Sequence, residues 1–515
     1  MADLSKFLET VNQGYTFKGE SYKIGRAMLN GSVVEGADVL IPFKTLNRHG
    51  LIAGATGTGK TKTLQVLAEG FSDASIPVVM MDIKGDLSGI GAEGTMNDTI
   101  TDRVQKLGIE YNPKAYPIEF LTLSNEKGTR LRATVSEFGP VLLSKILDLN
   151  DTQGSFVAMI FKYCDDNKLP LLDLKDFTKV LQWISNEGKA ELEKTYGKIS
   201  TTSTGTILRK VIELQQQGAD LFFGETSFDV EDLMRIDNQG YGVVSIVRVT
   251  DLQDKPKLFS TFMLQLLAEL YASSPEEGDM DKPKLVMFID EAHLIFNQAS
   301  EALLSQIETI VKLIRSKGIG IFFCTQNPMD VPASVLAQLG LKVQHALRAF
   351  TAADRKVIKQ TAENYPLSDY YKTDELLTQV GIGEALVTML NEKGVPTPLV
   401  HCMVRPPQSR MDILSESEID AIVDRSKIAS HYNRVIDNKS AHEILSEKLA
   451  EAAARDADTQ QEKDAAESKK EEKGILDNPL VRSFARTAGN QIIRSVLGAI
   501  GISGGTRRRK KTGWF

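Results

Sequence analysis

One short motif restricts the fold of this chain more than any other feature. The motif has the form G-x-x-x-x-G-K-[ST] and comprises Gly54, Ala55, Thr56, Gly57, Thr58, Gly59, Lys60 and Thr61. An apolar strand from Gly50 leads into it, and apolar side chains follow at helical spacing, at Leu64, Leu67, Ala68 and Phe71. A phosphate-binding loop, or P-loop, requires this order of strand, glycine-rich turn and helix. The motif therefore predicts a nucleotide-binding α/β fold.

A loop of this kind binds phosphate mainly through its backbone. Glycines allow successive N–H groups to turn inward, and the start of the next helix adds a partial positive charge. We expect Lys60 to reach the β- and γ-phosphates and the Thr61 hydroxyl to coordinate Mg²⁺. The predicted nucleotide-binding residues are the whole loop, 54–61, together with Lys62. A chance match in a glycine-rich turn is the alternative, and the flanking strand and helix argue against it.

A second motif supplies two carboxylates. The apolar run 285–289 ends in the adjacent acids Asp290 and Glu291. This arrangement suits Asp290 for the metal shell and Glu291 for polarising the water that attacks the γ-phosphate. An exposed strand end followed by a helix cap is the alternative, which the P-loop makes less favourable. Together the two motifs predict an ATP hydrolase that uses ATP and Mg²⁺.

Polar side chains at other strand ends are further candidates. Gln326 ends the next predicted strand, where an amide can sense the γ-phosphate or place water, although it also fits the start of a turn with Asn327 and Pro328. Asp82 ends the strand after the P-loop helix and fits either the outer metal shell or a turn cap. His293 fits either a coupling role between nucleotide and partner or a packed, hydrogen-bonded histidine.

Catalysis of phosphoryl transfer also gains from an arginine near the γ-phosphate, which a neighbouring subunit often supplies. Arg48 lies just before the P-loop strand, Arg315 ends the helix after Glu291, and Arg348 ends a predicted strand. Each also fits a surface or salt-bridged arginine. The residues alone therefore leave open which of the three acts.

The pattern of apolar runs divides the chain into six parts. Short apolar runs separated by helical stretches predict a doubly wound, mainly parallel sheet, which helical periodicity interrupts. The parts are short lead-in strands (1–45), the first part of the α/β core (46–136), a helical insertion (137–235), the second part of the core (236–435), a charged linker or helix (436–474), and an amphipathic helix with a basic tail (475–515). Two late strands, 383–390 and 398–404, are predicted to form a hairpin that closes one edge of the sheet.

Composition excludes several classes of protein. The formal net charge of −7 gives no general attraction to nucleic acid, so such contacts require local basic patches. The cysteines, Cys164, Cys324 and Cys402, have neither disulfide-framework nor zinc-site spacing. The chain has no apolar run of membrane-spanning length, and its amino terminus has no leader pattern. We therefore expect a cytoplasmic protein.

The carboxy-terminal segment combines an amphipathic helix with a basic run. Apolar side chains share one face of residues 479–500, with Arg482, Arg486 and Arg494 opposite, and five basic residues follow at 507–511. This pattern fits contact with nucleic acid, contact with an anionic membrane surface or a protein partner, or a solubilising tail.

With these motifs placed, the chain resembles the HerA and FtsK superfamily of ring-forming ATPases, most closely bacterial HerA-like proteins of the YjgR type. The resemblance covers roughly residues 20 to 435. The stretches that carry it are 47–61, 82–87, 132–136, 222–225, 290–293, 313–318 and 343–350. It implies a RecA-like core with an inserted helical bundle, assembled as a homo-oligomer, expected to be a hexamer, with nucleotide bound between subunits.

The resemblance also implies a function. Superfamily members move DNA through a central channel, so DNA is the expected partner, with DNA translocation or unwinding as the expected activity. By family pattern, Arg48 is presented to the nucleotide of a neighbour and Arg315 is a second γ-phosphate sensor. Residues 1–45 are too few for the β-barrel that docks nucleases in archaeal HerA, which argues against a nuclease partner. An ATPase that remodels or exports protein at a membrane, and a nucleotide-dependent assembly switch, are the alternatives.

Overall fold

The computed structural model describes residues 4–471, apart from 199, 254, 279, 297–300, 435 and 437. The chain divides into two units, residues 1–445 and 446–515. The first unit contains the sheet and the helices that surround it. The described part of the second unit is the remainder of one long helix.

Within the described residues, twelve strands form a single sheet. They are β1 (Ser21–Leu29), β2 (Ser32–Pro42), β3 (Gly50–Ala53), β4 (Val78–Asp82), β5 (Ile118–Thr122), β6 (Thr129–Arg130), β7 (Val244–Arg248), β8 (Leu285–Ile289), β9 (Ile319–Thr325), β10 (Leu341–Gln344), β11 (Glu384–Met389) and β12 (Val400–Val404). Their order is β2-β1-β12-β11-β10-β3-β9-β8-β4-β7-β5-β6. Pairs from β10 through β6 are parallel, and those from β2 through β10 are antiparallel. The predicted mainly parallel, RecA-like α/β fold is confirmed.

Helices cover both faces of this sheet. They are α1 (Leu4–Gly14), α2 (Lys60–Asp73), α3 (Asp98–Leu107), α4 (Val135–Ile146), α5 (Asp151–Asp166), α6 (Leu174–Ser185), α7 (Lys189–Tyr196), α8 (Thr201–Gln216), α9 (Pro256–Ser273), α10 (His293–Phe296), α11 (Glu301–Ile314), α12 (Ala333–Leu336), α13 (Ala352–Glu363), α14 (Thr373–Leu376), α15 (Glu416–Arg425), α16 (Lys427–Tyr432) and α17 (Ala441–Glu471). Successive strand residues point to opposite faces, so Val79 and Met81 pack in the apolar cluster that contains the α4–α8 side chains. Val78 and Met80 pack in the cluster that contains α2.

The predicted helical insertion is formed by α4 to α8. Several of these helices begin with a capping box, in which the N-cap residue and the third helical residue exchange hydrogen bonds between side chain and backbone. Such capping boxes begin α4 at Thr134 and Glu137, and α5 at Asn150 and Gln153. Apolar side chains of these helices then join the cluster on one face of the sheet. The insertion and the core therefore share one hydrophobic cluster.

The amino-terminal segment differs from the predicted short lead-in strands. Helix α1 precedes the strands, and β1 and β2 contain 9 and 11 residues. The predicted β11–β12 hairpin is present, with Leu386 opposite His401, but the prediction that it closes the sheet is wrong. Strand β1 pairs with β12, with Ala27 opposite Cys402, because the free hydrogen-bonding edge of β12 accepts another strand. The outer edge is therefore β2.

The charged segment predicted as a linker or a helix, 436–474, contains the helix α17. The amphipathic helix and basic run predicted at 475–515 lie outside the described residues. No helix in the described part of the chain is both long and apolar enough to cross a membrane.

Candidate active site

The carboxyl ends of four adjacent strands bring the predicted site residues together. The strand order β3-β9-β8-β4 is entirely parallel, so these strands end at the same edge of the sheet. The P-loop follows β3, Gln326 follows β9, Asp290 follows β8, and Asp82 ends β4. Residues far apart in the sequence thus meet at one edge, as expected for an open parallel sheet.

The P-loop is anchored by backbone hydrogen bonds and shaped by its glycines. The N–H of Gly54 donates to the Thr325 carbonyl at 3.2 Å, and the N–H of Ala55 donates to the Ala346 carbonyl at 2.8 Å. Gly54 has φ +151°, and a Cβ there would lie 2.6 Å from the Cβ of His345, so a side chain does not fit. Helix α2 begins at Lys60 with no side-chain cap. Its first N–H groups are therefore available to an anion.

Lys60 lies buried against its own loop. Its Nζ donates to the carbonyl oxygens of Gly54 at 2.7 Å and Ala55 at 3.2 Å. Burial lowers the pKa of Lys60, and the nearby Lys84 charge acts in the same direction, whereas Glu291 and Asp290 oppose it. A buried ammonium that contacts neutral carbonyls fits a site that receives phosphate.

Asp82 builds the turn that follows β4. Its carboxylate accepts hydrogen bonds from the N–H groups of Gly85 at 2.7 Å, Asp86 at 3.2 Å and Leu87 at 3.3 Å. Of the two roles considered for Asp82, the structure therefore supports the turn cap. We name residues 82–87 the β4 turn.

The β4 turn supplies a carboxylate that sequence reasoning missed. Thr61 Oγ1 donates to Asp86 Oδ2 at 3.2 Å. Within the described residues, the other oxygen, Oδ1, is buried without a hydrogen-bond partner. Asp86 therefore lies beside the hydroxyl predicted to hold Mg²⁺. The signals for it in the sequence were its position four residues after Asp82 and its place in the stretch 82–87 that carries the family resemblance.

Asp290 and Glu291 follow the carboxyl end of β8. Asp290 is 3% exposed, and its Oδ1 accepts the N–H of Glu291 at 2.9 Å. Burial raises the pKa of Asp290, and the adjacent Glu291 adds to this rise while Lys84 opposes it. Glu291 has φ +46°, a left-handed conformation that non-glycine residues adopt at a cost of roughly 1–2 kcal/mol. This conformation turns the chain from β8 toward α10.

The Glu291 carboxylate is held between the side chains of Lys84 and His293. Lys84 Nζ forms an ion pair with Oε1, and His293 Nδ1 lies 3.2 Å from Oε2. In the described part of the chain, neither oxygen accepts a well-directed hydrogen bond. Burial acts to raise the pKa of Glu291, but Lys84, His293 and Lys60 together outweigh it and lower the pKa below its ordinary value. Glu291 is therefore ionised at neutral pH, as a general base must be.

Two of the three candidate arginines lie at the edge of the sheet opposite the P-loop. Arg48 precedes β3 and Arg315 precedes β9, so both lie at the amino edge of the sheet, opposite the P-loop of the same subunit. The Arg48 guanidinium is 3.5 Å and 3.4 Å from the carbonyl oxygens of Asn391 and Glu392. Arg315 is exposed. The exposed Arg348 follows β10, at the carboxyl edge.

Gln326, predicted to sense the γ-phosphate or to place water, follows the end of β9. The residue before it, Thr325, accepts the Gly54 N–H through its carbonyl, which places Gln326 directly beside the start of the P-loop. Its side chain is exposed.

A cavity of about 310 Å³ adjoins the P-loop and was not anticipated from the sequence. Its lining includes Gly59, Lys62, Asn97, Arg103, Ile382 and Pro406. Arg103 fixes one wall, because its guanidinium donates to the carbonyl oxygens of Gly383 at 2.8 Å and Val404 at 3.0 Å. The Lys62 side chain donates to Gln65 Oε1 at 3.2 Å and to the Met411 carbonyl. The wall residues come from four segments that are distant in the sequence, so no local motif predicts the cavity.

Comparison with known proteins shows the family to which this chain belongs. The profile of the Helicase HerA-like C-terminal family matches residues 28–509. The chain belongs to this family. The DNA double-strand break repair helicase HerA of Sulfolobus acidocaldarius is 21% identical to this HerA-like chain over 378 residues, which are 72% of this chain and 67% of that protein.

One further sequence relative and one solved structure of the same fold carry other names. The DNA import protein CedB of Sulfolobus acidocaldarius is 24% identical over 371 residues, which are 69% of this chain and 52% of that protein. The plasmid coupling protein TrwB, in complex with the ATP analogue ADPNP, has a TM-score of 0.51 at 14% identity and covers 78% of this chain and 99% of its own. This likeness shows a shared fold.

Family membership confirms the predicted HerA and FtsK superfamily. The chain is a P-loop ATP-hydrolysing enzyme, as its two motifs predict. TrwB, which shares this fold, has been solved with an ATP analogue and with ADP and Mg²⁺, in agreement with the predicted ATP and Mg²⁺. The roles of individual site residues stay predictions.

Proposed function

We propose that this HerA-like chain hydrolyses ATP at the carboxyl edge of β3 and β8 and uses the reaction to translocate along DNA or unwind it, as a ring-forming homo-oligomer, a hexamer. One observation carries the proposal. A buried, ionised Glu291 lies in the same site as Lys60, whose ammonium contacts only carbonyls of the phosphate-binding loop in the described structure.

The residues present fit the phosphates and the metal. The uncapped start of α2 and the Lys60 ammonium would bind the β- and γ-phosphates, with Lys60 leaving the Gly54 carbonyl. Thr61 and Asp290 would hold Mg²⁺, and Asp86, with its unpartnered buried oxygen, adds a carboxylate beside Thr61. When bound, Mg²⁺ neutralises charge that develops on the phosphate oxygens.

Glu291 is the base in this proposal. Its carboxylate accepts a proton from water, and the water oxygen forms a bond to the γ-phosphorus as the bond to the β–γ bridging oxygen breaks. The products are ADP and inorganic phosphate. Gln326, at the adjacent strand end, is positioned to orient that water or to sense the γ-phosphate. The cavity beside Gly59 and Lys62 would receive the nucleoside.

Arg48 and Arg315 are proposed to act on the nucleotide of a neighbouring subunit. Both lie at the amino edge of the sheet, away from the P-loop of their own chain. An arginine supplied by a neighbour stabilises charge in the transition state and commonly changes the rate of hydrolysis by about 10³–10⁵-fold.

Mixed assemblies test this arrangement. Arg315→Ala and Glu291→Gln subunits should each be inactive alone, because each ring then lacks one of the two groups at every site. In rings purified with equal amounts of both, roughly a quarter of the interfaces pair an intact Glu291 with an intact arginine. ATP hydrolysis should recover accordingly, and Arg48→Ala allows the same measurement. Failure to recover with both arginine variants would contradict action between subunits.

The surface around α13 supports contact with DNA. Phe350, just before the helix, is 83% exposed, and Arg355, Lys356 and Lys359 are exposed on the helix. We name these four residues the α13 surface. Basic side chains attract phosphates, and an exposed aromatic ring offers apolar contact to bases. A local patch of this kind is what a chain with net charge −7 requires for binding nucleic acid.

Neutralising the α13 surface should weaken DNA binding without affecting the nucleotide site. For Arg355, Lys356 and Lys359 all replaced by Gln, we expect lower DNA affinity and a shallower dependence of log affinity on log salt, by about 0.9 for each phosphate that the variant no longer neutralises. Fluorescence anisotropy with duplex DNA over a salt series measures both. Replacing Lys162, Lys168 and Lys175, which are exposed on the insertion, provides a charge-matched control. Equal effects of both triple variants would contradict a specific surface.

Displacement of a third DNA strand tests the motor function directly. A protein that translocates on duplex DNA strips a triplex-forming oligonucleotide from its path, and the reaction requires hydrolysis. We expect displacement with ATP and none with a non-hydrolysable analogue or with Glu291→Gln. DNA-dependent hydrolysis that leaves the triplex and a forked duplex intact would contradict translocation and unwinding.

A further inference from the structure

The β4 turn presents a second lysine to the site. Three backbone N–H groups bind the Asp82 carboxylate, and Gly85 has φ +74°, so the turn is formed without any contribution from the Lys84 side chain. That side chain is 34% exposed and pairs with Glu291, whose side chain is 6% exposed. Lys84 is thus a long, partly exposed cation on a hydrogen-bonded turn, and it forms an ion pair with a buried carboxylate.

The charge of Lys84 also interacts with the charged side chains of the predicted phosphate site. Its charge acts on Lys60, which shows that the two ammonium groups share one region. Asp290, Glu291 and Asp86 in turn act on Lys84. The groups that act on one another here therefore include two lysines and three carboxylates. A γ-phosphate bound at Lys60 would enter this region with more negative charge than the Glu291 carboxylate carries.

We propose that Lys84 is shared between Glu291 and the γ-phosphate of ATP. Without nucleotide, Lys84 holds the Glu291 carboxylate in an ion pair. When ATP occupies the P-loop, Lys84 moves its ammonium to the γ-phosphate and leaves Glu291 free to accept the proton of water. This inference rests on the proposed nucleotide site and adds a residue that distinguishes ATP from ADP, because ADP has no γ-phosphate to compete for the lysine.

The exchange has a consequence for binding that does not depend on turnover. If Glu291 and the γ-phosphate compete for one ammonium, removal of the Glu291 charge must favour the triphosphate, and it must do so more strongly when Lys84 is present, because without Lys84 only the direct repulsion between the two negative groups is relieved. A purely structural ion pair would show no such dependence. The coupling between the two residues can therefore be read from a double-mutant cycle on nucleotide affinity.

The test measures Mg²⁺-dependent affinity of the full chain for fluorescent ADP and for a fluorescent non-hydrolysable ATP analogue. The readout is the ratio of triphosphate to diphosphate affinity in the wild type, Lys84→Gln, Glu291→Gln and the double variant. We expect Glu291→Gln to raise this ratio by about 3- to 10-fold and Lys84→Gln to lower it by a similar factor. Glu291→Gln should raise the ratio by a smaller factor in the Lys84→Gln background than in the wild type.

Two further variants make the comparison specific. Lys84→Arg keeps a cation on the turn and should retain most of the preference for the triphosphate. Lys114→Gln removes a lysine that pairs with Asp73 at 2.5 Å, outside the site, and should leave the ratio unchanged.

Three results would contradict one or other part of the account. An unchanged ratio in Lys84→Gln, or a rise caused by Glu291→Gln that is equally large without Lys84, would overturn the shared-lysine proposal while leaving the nucleotide site intact. Absence of binding of either nucleotide by the wild type would instead overturn the nucleotide site itself.

Discussion

Glu291→Gln is expected to stop ATP turnover and to leave nucleotide bound. The amide has nearly the shape of the carboxylate but cannot accept a proton from water at neutral pH. Removal of a general base typically slows the reaction by about 10²–10⁴-fold. The phosphates are expected to stay bound because Lys60 and the start of α2 are unchanged.

Steady-state hydrolysis and nucleotide binding, measured on the same preparation, check this prediction. Glu126→Gln is a matched control, since Glu126 also forms an ion pair, at 3.1 Å with Arg248, but lies outside the site. The control should hydrolyse ATP at the wild-type rate. Retained turnover in Glu291→Gln would overturn its role as the base, and loss of binding would show that it acts on the nucleotide instead.

Lys60→Ala is expected to abolish tight nucleotide binding. Loss of one member of a buried, charged hydrogen-bonded pair costs about 2–5 kcal/mol, so affinity for ATP and ADP should fall by about 30- to 4,000-fold. The variant should still fold, because among the described residues the Lys60 ammonium donates hydrogen bonds only to the Gly54 and Ala55 carbonyls.

Equilibrium binding of fluorescent ATP and ADP, together with thermal unfolding, measures both effects. Lys114→Ala removes a lysine that pairs with Asp73 away from the site and is expected to leave nucleotide affinity unchanged. Wild-type affinity in Lys60→Ala would contradict the assignment of the P-loop. A large loss of stability would mean that Lys60 is required for folding.

The parts of the site that sequence reasoning predicted are those encoded in contiguous residues. The P-loop needs a strand, a glycine turn and a helix in immediate succession, and β3 and α2 supply them on either side of Gly54–Thr61. Asp290 and Glu291 stand directly after the apolar run that becomes β8. The sheet order then follows from parallel pairing, and it places both motifs at one edge.

The parts that were missed depend on contacts between distant segments. Lys84 meets Glu291 only because β4 and β8 are adjacent strands, although more than 200 residues separate the two side chains. Neither residue carries a local signal of the pairing. The wall of the cavity near Arg103 likewise combines α3 with segments near β11 and β12.

The amino-terminal hairpin was only partly predicted for a related reason. Its strands are recognisable from buried residues such as Ile24 and Val39, but their partner is β12, near the other end of the α/β core. Because the sequence does not reveal this pairing, it predicts that the sheet ends at β11 and β12. Arg48 and Arg315 present the same difficulty, because their proposed target belongs to another subunit.

The most direct test of the central claim is the steady-state ATP hydrolysis rate of the purified chain at low salt, with and without duplex DNA, beside Glu291→Gln. We predict Mg²⁺-dependent hydrolysis that duplex DNA stimulates and that the variant lacks under both conditions. Hydrolysis of equal rate in the wild type and the variant would contradict the assigned active site, and hydrolysis that DNA does not change would contradict coupling to DNA.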